Sequence, residues 1–240
     1  MLEKLNSKMK ILAIIPARGG SKRLPRKNIL PLAGKPLIAW TIDEAKKSIF
    51  ITDIVVSTDD IEIADISKMH GAKVPFLRPD ILSNDTATSV DVVKHCIDFC
   101  DRELGKKYDF VLLLQPTSPL RTVEDIDGSV ELLVKKNADS VISMCMCEHS
   151  PIWTNTLPSD NNINNFDRVD FKNIRSQDLP TYYRYNGAVY LTNIKRLLDE
   201  NVFSFSTNSF AYIMPTERSV DIDSEIDFRL AKVIIEQIIF

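Results

Sequence analysis

The chain has 240 residues, enough for one sizeable hydrophobic core or a main domain with a small appendage. Hydrophobic residues are 44% and charged residues 26%, and the formal net charge is −3. That is ordinary globular composition, and the lack of a basic excess argues against a general nucleic-acid binder. No apolar run approaches the roughly 20 residues of a membrane span. Residues 1–9 form a polar leader without the apolar stretch of a secretory signal. A cytoplasmic protein with no membrane or nucleic-acid partner is expected. In chain order, Ile11–Pro16 is a continuous apolar run, as for a strand buried on both faces. A helix follows over Leu37–Ser48, a strand over Asp53–Ser57, and a helix over Ile61–His70 that Gly71 stops. Lys73–Leu77 reads as a strand, Ser89–Asp101 as a helix and Phe110–Leu114 as another buried strand. Thr122–Lys136 opens with Thr-x-x-Asp, a helix-start signal, and Ser140–Met146 is a strand. This βαβα rhythm predicts a mostly parallel sheet with helices on both faces.

The rhythm breaks near His149, and Ser150–Arg175 is rich in Asn, Asp, Pro and Ser. Residues 149–185 therefore read as a loop or a small inserted subdomain within a single domain of residues 10–240. The core resumes with a strand at Gly187–Thr192, a helix at Ile194–Glu200 and a strand at Phe210–Met214. A last helix spans Asp223–Ile238, with Ile226, Leu230, Val233, Ile234 and Ile238 on one apolar side. The four cysteines, Cys96, Cys100, Cys145 and Cys147, read as buried core thiols. A zinc set of Cys145, Cys147 and His149 is the alternative, at odds with the usual spacing of zinc cysteines.

Positive charge is concentrated early. Between Lys10 and Ile42 there are seven Lys or Arg and no Asp or Glu, and five of the seven lie between Arg18 and Lys27. The segment Ala17–Asn28 (ARGGSKRLPRKN) directly follows the first strand. In an open α/β sheet that is where ligands sit. Gly19 and Gly20 let the backbone approach an anion, Arg18 and Lys22 add charge, and Ser21 adds a hydroxyl donor. The order matches neither a P-loop nor a dinucleotide fingerprint. From the residues alone, the segment is a polyanion site or a basic glycine-containing turn. Near the other end, Asp221 and Asp223 flank Ile222, and residues two apart in an extended segment share a side. Such a pair suits a hard cation such as Mg²⁺. The alternative is a helix start, with Asp223 as the N-cap and Glu225 in the first turn.

ARGGSKRLPRKN with LAGKPLIAWTI resembles the opening of the acylneuraminate cytidylyltransferases, the CMP-sialic acid synthetases. The likeness continues through VVSTDD, FLRP, SNDTATS, LLQPTSPLR, YRYNGAVYL and SVDIDSEID, in family order to the C-terminus. The resemblance implies a Rossmann-like nucleotidyltransferase fold with a small dimerisation subdomain, and a homodimer. It implies that Arg18, Ser21 and Lys22, with Gly19 and Gly20, hold the triphosphate of CTP, and that Asn28 helps read the cytosine. Arg78, Ala87 and Ser89 would surround the nucleotide, though Asp85–Thr88 also reads as a helix N-cap. Gln115, Tyr183, Arg184, Asn186 and Tyr190 would meet an acidic nine-carbon sugar. Asp221 and Asp223 would hold Mg²⁺ or Mn²⁺. The implied reaction is attack of the sugar's anomeric hydroxyl on the α-phosphorus of CTP, with release of pyrophosphate. His149–Phe166 resembles bacterial members of the legionaminate or related type more than animal-type sialate enzymes. A synthetase for the eight-carbon acid Kdo, or a non-catalytic nucleotide-binding protein, are the competing readings. Arg121 is open between a sugar contact and an exposed helix-start arginine, and Arg23 has no assigned role.

Overall fold

The computed structural model describes residues 9–164, 166, 175 and 178–239. Its main sheet contains β1 (Ile11–Pro16), β4 (Ile51–Ser57), β5 (Phe110–Leu113), β6 (Ser140–Met146), β7 (Tyr183–Asn193) and β8 (Ser209–Ile213). The order across the sheet is β4-β1-β5-β7-β6-β8. β1 is parallel to β4 and β5, and β6 is parallel to β8. β7 alone runs antiparallel, to both β5 and β6. The α/β prediction therefore holds, with one reversed strand in a mostly parallel sheet.

Alternation along β1 sorts the helices onto two faces. Ile11, Ala13 and Ile15 face one core with Ile38 and Ile42 of α1 (Leu37–Lys47), Ile63 of α2 (Ile61–Met69), and Ile126, Val130 and Leu133 of α4 (Val123–Lys136). Leu12 and Ile14 face the other core with Val93, Cys96 and Cys100 of α3 (Ser89–Arg102) and Leu197 of α5 (Ile194–Glu200). Both sides of β1 are buried, which explains its unbroken apolar sequence.

A third cluster matters most for the site. Leu24 from the cationic segment and Leu32 and Leu37 beside it pack with Leu120, Ile222, and Ala231 and Ile235 of α6 (Glu225–Ile239). Leu32 belongs to a small hairpin, β2 (Pro31–Leu32) and β3 (Lys35–Pro36), turned by Ala33 and Gly34 at positive φ. The Ala-Gly pair was the available signal for this turn, and sequence reading passed over it.

Four expectations need correction. Lys73–Leu77 is not a strand: Lys73 makes one isolated bridge to Val55, and Pro75, without an N–H, cannot extend the ladder. The buried side of α6 is Ala231 and Ile235 with Phe228 and Ile234 against them, while Ile226, Leu230 and Val233 are exposed. α6 is capped by Ser224, not Asp223. The Ser224 hydroxyl accepts from the Asp227 amide, and the Asp227 carboxylate accepts from the Ser224 amide at 2.7 Å. Arg121 is neither exposed nor facing a ligand: it is 1% exposed and bonded within the core. The helix-start signal at Thr122 is a capping box with Asp125, and Thr88 and Asp91 make a second one. Cys96, Cys100 and Cys145 are buried free thiols, while Cys147 is half-buried. Among the described residues no helix is long and apolar enough to cross a membrane.

Candidate active site

Three chain segments converge beyond the carboxyl ends of β1 and β5 around a cavity of about 500 Å³. The first runs from Pro16 to Asn28 and contributes Arg18, Ser21, Lys22, Arg23, Lys27 and Asn28. The second leaves β5 as Gln115, Pro116 and Thr117. The third brings Asp221 and Asp223, and Ser89 closes one side. Cations and carboxylates thus share the lining of one cavity.

The packing explains how distant segments meet. Ile222 is fully buried, so the flanking Asp221 and Asp223 turn to the opposite side, as their two-residue spacing predicts. The Ile222 amide donates to the Thr117 carbonyl at 2.8 Å, which ties the acidic segment to the loop after β5. Lys27 Nζ donates to the Ile222 carbonyl at 2.6 Å and to Asp223 Oδ1 at 3.1 Å. Arg23 Nη2 pairs with Asp223 Oδ2 at 2.9 Å. Arg23, unassigned from sequence, therefore sits on the predicted metal carboxylate.

The cationic segment is braced from β4. The Gly19 amide donates to Asp59 Oδ1 at 3.0 Å. A Cβ on Gly19 would stand 2.7 Å from Asp60 Oδ2, so glycine is required here for close packing against α2's cap. The amide of Gly19 is thus committed to the fold rather than turned to an anion, and neither Gly19 nor Gly20 lines the cavity.

A smaller hollow of about 250 Å³ adjoins the cavity through Pro16, Arg18 and Ser89 and contains Arg78, Asp85 and Ala87. Arg78 is 5% exposed, its Nε donating to Ser83 Oγ at 3.2 Å. Burial lowers its pKa against the opposing charge of Asp59, which lies 3.7 Å from Nη2.

Several buried polar atoms lining the cavity and the hollow lack a hydrogen-bond partner: Asn28 Oδ1, Arg78 Nη2 and Asp221 Oδ1. Asn28 is held by its other end, Nδ2 donating to the Arg18 carbonyl at 2.9 Å. Buried polar atoms are nearly always paired, so such a cluster marks where a ligand supplies the missing bonds. Burial and the neighbouring Asp223 carboxylate push the Asp221 pKa up. A bound cation would relieve both penalties. Among the described residues no group of three or more His, Cys, Asp or Glu is placed to hold a metal. The pair alone fits Mg²⁺, which uses one or two carboxylates and completes its shell with phosphate and water oxygens.

The family model described as Cytidylyltransferase matches residues 12–237. The chain belongs to the cytidylyltransferase family. A cytidylyltransferase is a nucleotidyltransferase, and this chain is one. It is 39% identical to the CMP-N,N'-diacetyllegionaminic acid synthase of Legionella pneumophila over 95% of this chain and 97% of that protein. It is 36% identical to the pseudaminic acid cytidylyltransferase of Campylobacter jejuni, over 94% of this chain and 96% of that one. It is 40% identical to an N-acylneuraminate cytidylyltransferase of Streptococcus agalactiae, over 92% of this chain but 52% of that longer protein. A solved CMP-2-keto-3-deoxy-manno-octonic acid synthetase shares the fold, with TM-score 0.71 at 17% identity over 95% of this chain and 99% of its own.

The residues predicted for the sugar are less gathered than those for the nucleotide. Gln115 lines this cytidylyltransferase's cavity, facing Gly187 of β7. Gly187 has φ +76, and a Cβ there would lie 3.2 Å from Gln115 Oε1 and 3.5 Å from Asp221 Oδ2. Sequence reading missed this glycine, although its place after Asn186 was a usable signal. Asn186 is 1% exposed and saturated: Nδ2 donates to Ser219 Oγ at 2.9 Å and Oδ1 accepts from Ser143 Oγ at 2.6 Å. It braces the strand rather than facing the cavity. Tyr190 is half-buried against Tyr185 and Phe203, and burial and then Asp221 raise its pKa. Arg184 lies outside the cavity and holds Glu148 with two bonds, at 2.6 and 3.1 Å. Tyr183 is half exposed at the start of β7. The expected inserted subdomain at 149–185 falls partly outside the described residues.

Proposed function

We propose that this protein transfers CMP from CTP to the anomeric hydroxyl of an acidic nine-carbon keto-sugar, releasing pyrophosphate. The observation that carries the reading is the set of buried atoms on Asn28, Arg78 and Asp221 without a hydrogen-bond partner, lining the cavity and the hollow that adjoins it. Relatives named for legionaminic, pseudaminic and acylneuraminic acids support the choice of sugar class.

Arg18, Ser21 and Lys22 hold the triphosphate, and the hollow with Arg78, Ala87 and Ser89 takes the nucleoside, with Asn28 between them. An amide such as Asn28 or a guanidinium such as Arg78 can satisfy the hydrogen-bonding edge of a pyrimidine. Gln115 stands where an amide can both donate to and accept from a hydroxyl-rich acceptor. Asp221 and Asp223 would hold a divalent cation, Mg²⁺ or Mn²⁺, which would supply positive charge beside the phosphates. Arg18 and Lys22 supply fixed positive charge to the same end, and no covalent intermediate on the protein is needed. Tyr183 and Arg184 meet the sugar from the rim in a homodimer.

The test is pyrophosphate release from CTP and Mg²⁺ with legionaminic, pseudaminic, N-acetylneuraminic and Kdo acids in parallel. Release with one or more of the first three supports the reading. Release with Kdo alone overturns the sugar class.

A further inference from the structure

The site contains an anion of its own. Asp85, in the stretch before α3, offers one carboxylate to two cations of the phosphate segment. Oδ1 accepts from Arg18 Nη1 at 2.9 Å, and Oδ2 accepts from Lys22 Nζ at 2.5 Å. These are the two side chains assigned above to the triphosphate. The surrounding turn does not depend on this carboxylate. Asn84 Oδ1 accepts from the amides of Thr86 and Ala87, and the Thr88–Asp91 capping box starts the helix. The hydrogen bonds of the Asp85 carboxylate go across the site, to residues more than sixty positions away.

The pairs are built to exchange. The side chains of Arg18, Lys22 and Asp85 are 39%, 77% and 52% exposed. Exposed ion pairs are worth little and break easily, whereas a buried pair would resist substitution. Arg18 lines both the larger cavity and the hollow that holds Asp85, so its guanidinium is placed to serve either. Hydrogen bonds from Lys22 and then Arg18 hold the Asp85 carboxyl below its usual range, and it stays ionised.

We propose that Asp85 is a placeholder for the substrate's phosphates. Its carboxylate gathers Arg18 and Lys22 in the empty site, yields them to an arriving nucleoside triphosphate, and takes them back as pyrophosphate leaves. The proposal rests on the reading of Arg18 and Lys22 as triphosphate ligands. A placeholder competes with the substrate, so it weakens binding and favours product release. A purely structural carboxylate would do neither.

The experiment measures CTP binding by calorimetry without acceptor sugar, and inhibition of turnover by pyrophosphate, in wild type, Asp85→Asn, Asp85→Glu and Lys22→Ala. Asp85→Asn should bind CTP about three- to tenfold more tightly, and pyrophosphate should inhibit it more strongly in the same proportion. Asp85→Glu keeps the charge and should restore wild-type values. If Lys22→Ala loses CTP while Asp85→Asn binds it no better than wild type, the placeholder is overturned and the site reading stands. If Lys22→Ala binds CTP like wild type, both fall. Loss of thermal stability in Asp85→Asn without tighter binding would make Asp85 a structural residue and overturn the proposal.

Discussion

The Gly19 amide donates to Oδ1 of Asp59 at 3.0 Å, so the phosphate segment hangs from the end of β4 rather than standing free. The same carboxylate oxygen lies 3.7 Å from Arg78 Nη2. One side chain thus braces both the cationic segment and the hollow around Arg78. Asp59→Asn should raise the KM for CTP roughly tenfold, the scale of one charge-assisted hydrogen bond. Steady-state pyrophosphate release measures it, and an unchanged KM would mean that Asp59 anchors nothing of consequence.

Lys22 and Asp223 both line the cavity. Lys22→Ala and Asp223→Ala should each lower turnover by roughly two orders of magnitude or more, as loss of a preorganised charge does. Circular dichroism should stay close to wild type for both, since the Lys22 side chain is 77% exposed and that of Asp223 45%. A folded variant that keeps near wild-type turnover would remove that residue from the chemistry.

Arg121 should behave in the opposite way. Its guanidinium donates to the Ala188 carbonyl and Thr41 Oγ1, both at 2.7 Å, and to the Gln115 carbonyl at 3.3 Å. Burial pushes its pKa down to about 10, still high enough to keep it charged at neutral pH. Arg121→Met removes the donor to the buried Ala188 carbonyl and to Thr41 Oγ1 and should cost about 3 kcal/mol or more. Urea unfolding tests this. A loss below about 1 kcal/mol would show that the core closes over the gap.

Asp53 gives the protein a defined acid sensitivity. Burial alone would raise its pKa, but hydrogen bonds from Lys106, Lys73 and Tyr108 outweigh it and hold the carboxyl at about 2. A depressed carboxyl stabilises the fold above its unfolded pKa, near 4, and loses that contribution as pH falls toward 2. The contribution at neutral pH is about 2 kcal/mol. Asp53→Asn should lower stability at pH 7 by about that amount and flatten its fall between pH 4 and 2. Parallel stability curves for the two proteins would refute the assignment.

Much of the cavity's lining was legible because its signals are local. Ala17–Asn28 is one unbroken stretch after a buried strand, and Asp221 and Asp223 reveal their shared side by spacing alone. What stayed hidden depends on contacts between distant segments. Nothing in the sequence says that Asp85 reaches Lys22, that Arg23 reaches Asp223, or that Asn186 spends its amide on Ser219 and Ser143. Arg121 was ambiguous because a helix-start arginine usually points to water, and only the packing of α1 against β7 buries it. The reversal of β7 was invisible too, since a strand buried on both faces has the same composition in either direction.

That reversal has a further effect. β6 leaves the sheet at Met146 and β7 enters it at Tyr183, and these two residues are paired neighbours. The intervening stretch begins and ends on adjacent strands, so its length can drift without shifting the register of the sheet. A lineage can therefore rewrite this stretch while the cationic segment after β1 stays as it is.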